Sequence, residues 1–387
     1  MKKVLSFIIA TVLCLSAVNF SAFADETPTV EVKAKAAVLM DVSSGEVLYA
    51  MNENEQLYPA SVTKIMPLLL FMEAIDSGRM TLTDVVTTSP TAASKGGSQI
   101  WLKEGEQMTV DELLRATAIA SANDACTALG EHLAGSEEGF VKMMNERATQ
   151  LGMKNTHFDN CSGLDDDTTT HLTTAYDIAL MSCELLMHER IKTYTTVWMD
   201  SLRDGETELV NTNRLVRFYN GTTGLKTGTT SKAGHCLSAS AERDGLHLVA
   251  VVMGADNSTD RFEGAKALLN YGFANYESIT PQIDSSSFTD VEVIRGIEKT
   301  VRPVVTGVAP FTVRAGEKSL IRTEIELCED VEAPVEENQI LGKVILRVEN
   351  RVIREYDLIS EKAIRRITFG DIVARFLKSL TKSEQYS

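Results

Sequence analysis

The sequence holds no cluster of metal ligands. Its six histidines, His132, His157, His171, His188, His235 and His247, are scattered without ligand spacing. A zinc site needs close ligand pairs, so neither a metal nor any other cofactor is expected. A disulfide framework is missing too: beyond Cys14 the cysteines are Cys126, Cys161, Cys183, Cys236 and Cys328, an odd and irregularly spaced set. Basic charge is short, with 38 Lys and Arg against 54 Asp and Glu, and so acidic a body repels nucleic acid. Internal repeats and low-complexity tracts are absent. The apolar run from Val4 to about Val18 is short for a bilayer span. With Lys2 and Lys3 before it and Ala22-Phe23-Ala24 after it, it reads as a signal peptide over residues 1–24, the alternative being an uncleaved anchor. Leu13 stands before Cys14 where a lipid anchor would want a small residue.

What is present reads as a globular chain. Ala36–Asp41 and Val47–Ala50 are apolar runs separated by Ser43-Ser44-Gly45, the pattern of a β-hairpin. A helix apolar nearly all round is expected from near Ser61 to Gly78, buried at the centre of the fold. Thr109 and Glu112 form a capping box ahead of Leu113 and Leu114, and Ser136 opens a further helical pattern. From about Cys236 the pattern turns to strands, with Leu246–Met253 nearly continuous apolar, then to a helix around Arg261–Tyr271. Strands at both ends of a helical middle predict an α/β (α+β) domain whose sheet is assembled from distant parts of the chain. Past a boundary near residue 280, Ile321, Thr323, Ile325 and Leu327 alternate with charged residues, as in a small β domain. Residues 368–382 return to helical period, with Phe369, Ile372, Val373, Phe376, Leu377 and Leu380 on one stripe and Arg375, Lys378 and Lys382 off it. That stripe fits core packing or an in-plane membrane anchor.

Three short motifs carry chemistry: Ser61-Val62-Thr63-Lys64, Ser121-Ala122-Asn123 and Lys226-Thr227-Gly228. Singly each is weak, and Ser379-Leu380-Thr381-Lys382 also fits Ser-x-x-Lys without any catalytic context. Together they make sense. Ser61 at a helix start lies among free backbone N–H groups, and Lys64 one turn later can reach its hydroxyl as a general base. Such a lysine must be largely deprotonated, which burial and a nearby cation, Lys226, would favour. Ser121 and Asn123 fall at an expected helix break, where they suit a proton relay and a grip on substrate backbone, or a capping turn, or both. Lys226-Thr227-Gly228-Thr229 reads as a strand on which Gly228 lets a peptide substrate come close and Thr227 is free to bind a carboxylate.

Tyr58-Pro59-Ala60-Ser61-Val62-Thr63-Lys64-Ile65-Met66, Ser121-Ala122-Asn123-Asp124-Ala125 and Gly224-Leu225-Lys226-Thr227-Gly228-Thr229-Thr230 resemble the D-alanyl-D-alanine carboxypeptidases of the low-molecular-mass penicillin-binding proteins. The resemblance is strong over residues 36–277 and looser beyond. It implies a β-lactamase/transpeptidase-like domain with a mainly helical subdomain, then a small β domain and an amphipathic terminal helix. The expected division is 1–24, 25–280, 281–360 and 361–387. By resemblance, Ser61 attacks the penultimate D-alanine carbonyl of a peptidoglycan stem peptide. The N–H groups of Ser61 and Thr229 form the oxyanion hole, and Arg261 helps Thr227 hold the terminal carboxylate. Penicillins would acylate Ser61. Export to the outer face of the cell membrane and contact with its surface through the terminal helix are also expected. A class A β-lactamase shares the three motifs but adds Glu-x-x-Leu-Asn, which is not found between Asn123 and Lys226. A non-catalytic peptidoglycan-binding homologue is the other alternative. Two departures stand out: Pro67 inside the helix, able to kink it, and Cys161 in place of the proline usual before Ser162-Gly163-Leu164.

Overall fold

The computed structural model describes residues 30–165 and 168–383; the expected signal peptide lies outside them. A five-stranded antiparallel sheet carries the first part of the chain. Its strands are β1 (Ala36–Asp41), β2 (Val47–Met51), β3 (Thr222–Thr230), β4 (Gly234–Arg243) and β5 (Leu246–Ala255), in the spatial order β2-β1-β5-β4-β3. The hairpin at one end of the sequence thus lies beside strands some two hundred residues on, with Val38 facing Val251 across the β1–β5 register.

Both faces of the sheet are covered, which is why β1 and β5 are apolar apart from Asp41 and His247. Along each strand alternate residues go opposite ways. Val38, Met40, Val249, Val251 and Met253 join a core with the helical middle. That middle comprises α1 (Ile65–Asp76), α2 (Val110–Ile119), α3 (Asn123–Ala134), α4 (Glu137–Gln150) and α5 (Ala175–Leu186). On the other face lies α6 (Ser258–Asn275), where Gly272 leaves room for Leu39 and Leu248: a Cβ there would come within 2.4 Å of Leu248. The capping box of Thr109 and Glu112 starts α2, and the Ser136 hydroxyl accepts from the Gly139 N–H at the start of α4.

Two local expectations are corrected. The segment Ala60–Lys64 is a 3-10 turn, and α1 begins only at Ile65. Pro67 therefore stands in the first turn of α1, where its missing N–H costs no helical hydrogen bond, and the helix runs through to Asp76 without interruption. As expected, α1 is buried nearly all round.

From Tyr276 the chain becomes β-rich. Tyr276–Ile279 pairs with Phe311–Arg314, and a four-stranded sheet is formed by residues 303–305, 351–360, 340–348 and 321–327. The alternation read in the sequence is seen in the register Ile321–Leu327 against Gly342–Val348. A terminal helix, α7, spans Phe369–Ser383, with Phe369, Ile372, Val373 and Leu377 exposed. Among the described residues no helix is long and apolar enough to cross a membrane.

Candidate active site

The 3-10 turn sets the first distance. In a 3-10 helix residues i and i+3 eclipse, so Lys64 stands directly over Ser61 and its Nζ donates to Ser61 Oγ at 3.0 Å. The turn is pinned from two sides. Gly228 on β3 presses against it: a Cβ there would lie 2.7 Å from Pro59 O and 2.9 Å from the backbone nitrogens of Ser61 and Val62. The missing side chain thus leaves room for the nucleophile turn. On the other side Gly163, at φ +85°, backs onto Ala60; a Cβ there would sit 1.8 Å from Ala60 O.

Lys64 is fully buried, and a second bond, Nζ to Ser162 O at 2.7 Å, fixes its amine. Burial pulls its pKa down to about 8, against the opposing pull of Cys126, Cys161 and Asp124. The cation expected beside it, Lys226, is coupled to it by charge. Lys226 is itself buried, and burial first, then the charges of Lys64 and Arg261, push its pKa well down. It enters from the sheet. Lys226 pairs with Ser238 across β3 and β4, and the Ser238 hydroxyl meets Ser182 of α5 at 2.8 Å, so the lysine points to the helical side. Its Nζ donates to Thr227 O at 3.1 Å.

Ser121 lies between α2 and α3, in left-handed backbone at φ +64°, and Asn123 is the first residue of α3. Neither side chain caps a helix: Ala122 is the cap residue of α3 and has no side-chain cap bond. The Asn123 amide donates to Gly96 O at 2.7 Å. Among the described residues, the buried side-chain atoms without a hydrogen-bond partner include Ser121 Oγ, Asn123 Oδ1 and Arg261 Nε. Buried polar atoms are rarely left unpaired in a folded chain. Ser121, Asn123 and Arg261 are all predicted site residues; Trp198 Nε1, Arg203 Nη2 and Thr312 Oγ1 share the condition.

Arg261, in the first turn of α6, reaches β3. Its Nη1 donates to Gly228 O at 3.0 Å, to Thr229 Oγ1 at 2.9 Å and to Cys236 O at 3.4 Å. Thr227 Oγ1 donates to Thr212 Oγ1 at 2.7 Å. β3 is an edge strand of the sheet, the position at which an extended peptide can add as a further strand; its Thr223 and Gly224 carbonyls already accept from Thr195 and Asn213.

Sequence reasoning missed the supports. Thr63 Oγ1 lies 2.9 Å from His171 Nε2, while His171 Nδ1 accepts from the Asp159 N–H at 3.0 Å. That acceptor role assigns the proton to Nε2, which then donates to Thr63. Burial lowers the pKa of His171 to about 4, keeping the ring neutral. Asp124, fully buried, accepts from the N–H groups of Ile100, Leu102 and Ala125. The one available signal was Asp124 itself, an acid between Ala122 and the apolar Ala125-Cys126. His171 offered none.

Comparison with known proteins agrees over both parts of the chain. A family model described as D-alanyl-D-alanine carboxypeptidase matches residues 21–257, and one described as penicillin-binding protein 5, C-terminal domain, matches residues 276–366. The D-alanyl-D-alanine carboxypeptidase DacF of Bacillus subtilis is 39% identical over 99% of this chain and 100% of its own length. DacC of Escherichia coli is 35% identical over 86% of this chain and 84% of its own. The crystal structure of penicillin-binding protein 5 from Haemophilus influenzae covers 87% of this chain and 98% of its own at 30% identity, with a TM-score of 0.78. Penicillin-binding protein D2 from Listeria monocytogenes, solved in an ampicillin-bound form, covers 64% of this chain and 100% of its own at 31% identity and a TM-score of 0.58. By sequence over its whole length and by fold, the chain belongs to the D-alanyl-D-alanine carboxypeptidase family of serine peptidases.

Proposed function

We propose that this chain removes the terminal D-alanine from peptidoglycan stem pentapeptides through an acyl-enzyme on Ser61. The observation that carries the reading is the buried Lys64 amine, its pKa drawn down to about 8, at 3.0 Å from the Ser61 hydroxyl. In the neutral form Nζ accepts the hydroxyl proton as Ser61 Oγ attacks the carbonyl of the penultimate D-alanine. The backbone N–H groups of Ser61 and Thr229 take the oxyanion. Collapse of the adduct passes a proton through the Ser121 hydroxyl to the departing D-alanine amine, and water then hydrolyses the ester by the reverse transfers. Asn123 holds the substrate backbone with the amide now on Gly96 O. Arg261, with Thr227, meets the terminal carboxylate, and the buried Lys226 lies among the substrate-binding groups beside them. A β-lactam amide, presenting its carbonyl as the D-alanyl dipeptide does, acylates the same hydroxyl.

Residues 1–24 export the chain, residues 25–280 carry catalysis, residues 281–360 form the β domain, and the terminal helix lies on the outer face of the cell membrane. The exposed Phe369, Ile372, Val373 and Leu377 support that last role over core packing. Deleting residues 365–387 should release the protein from the membrane fraction; retention would refute the anchor. For the activity, wild type should release D-alanine from a pentapeptide and Ser61→Ala should not. Release by the variant would overturn the assignment.

A further inference from the structure

Trp101 stands where a fold alone would not place a tryptophan. Its backbone is left-handed, φ +60°, a region that costs a bulky side chain strain and that glycine or asparagine fills freely. The residue is also 74% exposed. The second tryptophan of the chain, Trp198, is by contrast packed edge-on against Phe218 with Arg217 over its ring. The strained conformation is held deliberately from both sides. The buried Asp124 carboxylate accepts from Ile100 N at 3.2 Å and from Leu102 N at 3.0 Å, and Arg203 Nη1 donates to Ile100 O at 2.8 Å. Ile100 and Leu102 are buried. The peg that presents Trp101 therefore cannot rotate inward without breaking these bonds.

The peg is tied to the segment that carries Asn123 and Asp124. Asp124 follows Asn123 directly, Asn123 N donates to Ser98 O at 2.7 Å, and a Cβ on Gly97 would come within 2.7 Å of Asn123 Nδ2. A fixed, flat, exposed aromatic suits a flat and rigid ligand face better than a flexible side chain. The exposed Ser98 and Lys103 beside it supply hydrogen-bonding groups of the kind that sugar hydroxyls and acetamido groups meet.

We infer that Trp101 is a stacking platform for a pyranose ring of the glycan strand that bears the stem peptide, a specificity element lying outside the peptide-cleaving groups. The inference rests on the proposed carboxypeptidase reading and has its own readout. Trp101→Ala and Trp101→Phe are compared with wild type on two substrates: the free stem pentapeptide, and the same pentapeptide carried on its disaccharide. Trp101→Ala should raise KM about tenfold on the disaccharide substrate only, with kcat unchanged and much of the loss restored in Trp101→Phe. An equal rise on both substrates would place the indole against the peptide, and no rise on either would leave it without a substrate role; both results overturn the inference. Calorimetric titration of both ligands into Ser61→Ala, with and without Trp101→Ala, reads binding without turnover. It therefore tests the platform even where wild type releases no D-alanine, the result that would defeat the carboxypeptidase reading instead.

Discussion

Gly163→Ala isolates the loop that holds the catalytic turn in place. The new Cβ would lie 1.8 Å from Ala60 O, 2.4 Å from Ala60 C and 2.8 Å from Thr63 Oγ1. Backbone cannot yield as a long side chain can, so loop and turn must part. The overlap costs about 1–3 kcal/mol on the scale of overpacked cores. The left-handed backbone at φ +85° adds about 1–2 kcal/mol for any residue with a Cβ. A total of about 2–5 kcal/mol should lower the melting temperature by roughly 5–10 °C. The neighbouring residue makes the effect catalytic as well, because Ser162 O anchors Lys64 Nζ at 2.7 Å. A loop displaced by even part of an ångström moves that acceptor and loosens the amine from Ser61. Thermal unfolding and the second-order rate of labelling by a fluorescent penicillin measure the two consequences. Labelling should slow by at least about tenfold in molecules that remain folded. A variant that melts with the wild type and labels at its rate would refute the reasoning.

Two further outcomes follow from buried charges and rings. Arg261→Ala removes the donor to Gly228 O and Thr229 Oγ1. It should lower kcat/KM on a pentapeptide by about a hundredfold, mostly through KM, as loss of a charge-assisted bond does; steady-state kinetics at unchanged kcat check the split. His171 is held at about 4 by burial, below the 6.5 of an unperturbed ring, so the unfolded chain takes up the proton first as pH falls. Its contribution is whole above about pH 6.5 and is lost toward pH 4, about 3 kcal/mol in all. Denaturant unfolding across that window should show the loss in wild type and less of it in His171→Asn.

The sequence made some of this legible, and the reason is range. Features that depend on neighbours within a turn or a strand were readable: the Thr109–Glu112 capping box, the alternation of Ile321–Leu327, and the spacing of Ser61 from Lys64. The order of three motifs, together with their resemblance to a family, was enough to bring Lys226 and Ser121 into consideration. What stayed hidden was contact between distant residues. The partner of Thr63 lies 108 positions away in His171, and Lys64 is anchored 98 positions away at Ser162. Neither carries a local pattern. The 3-10 character of Ala60–Lys64 was hidden for a related reason: the packing of Gly228 and Gly163 on either side shapes it. Pro67, read alone as a breaker, became harmless once the helix start moved to Ile65.

The central claim is that an uncharged Lys64 amine draws the proton from Ser61. The acylation rate constant with a fluorescent penicillin, followed from about pH 6 to about pH 10, tests it most directly. With the amine at about 8, the rate should climb with pH as one proton leaves, pass its midpoint near that value, and then level off. A rate that is flat through this range, or that falls as pH rises through 8, would contradict it.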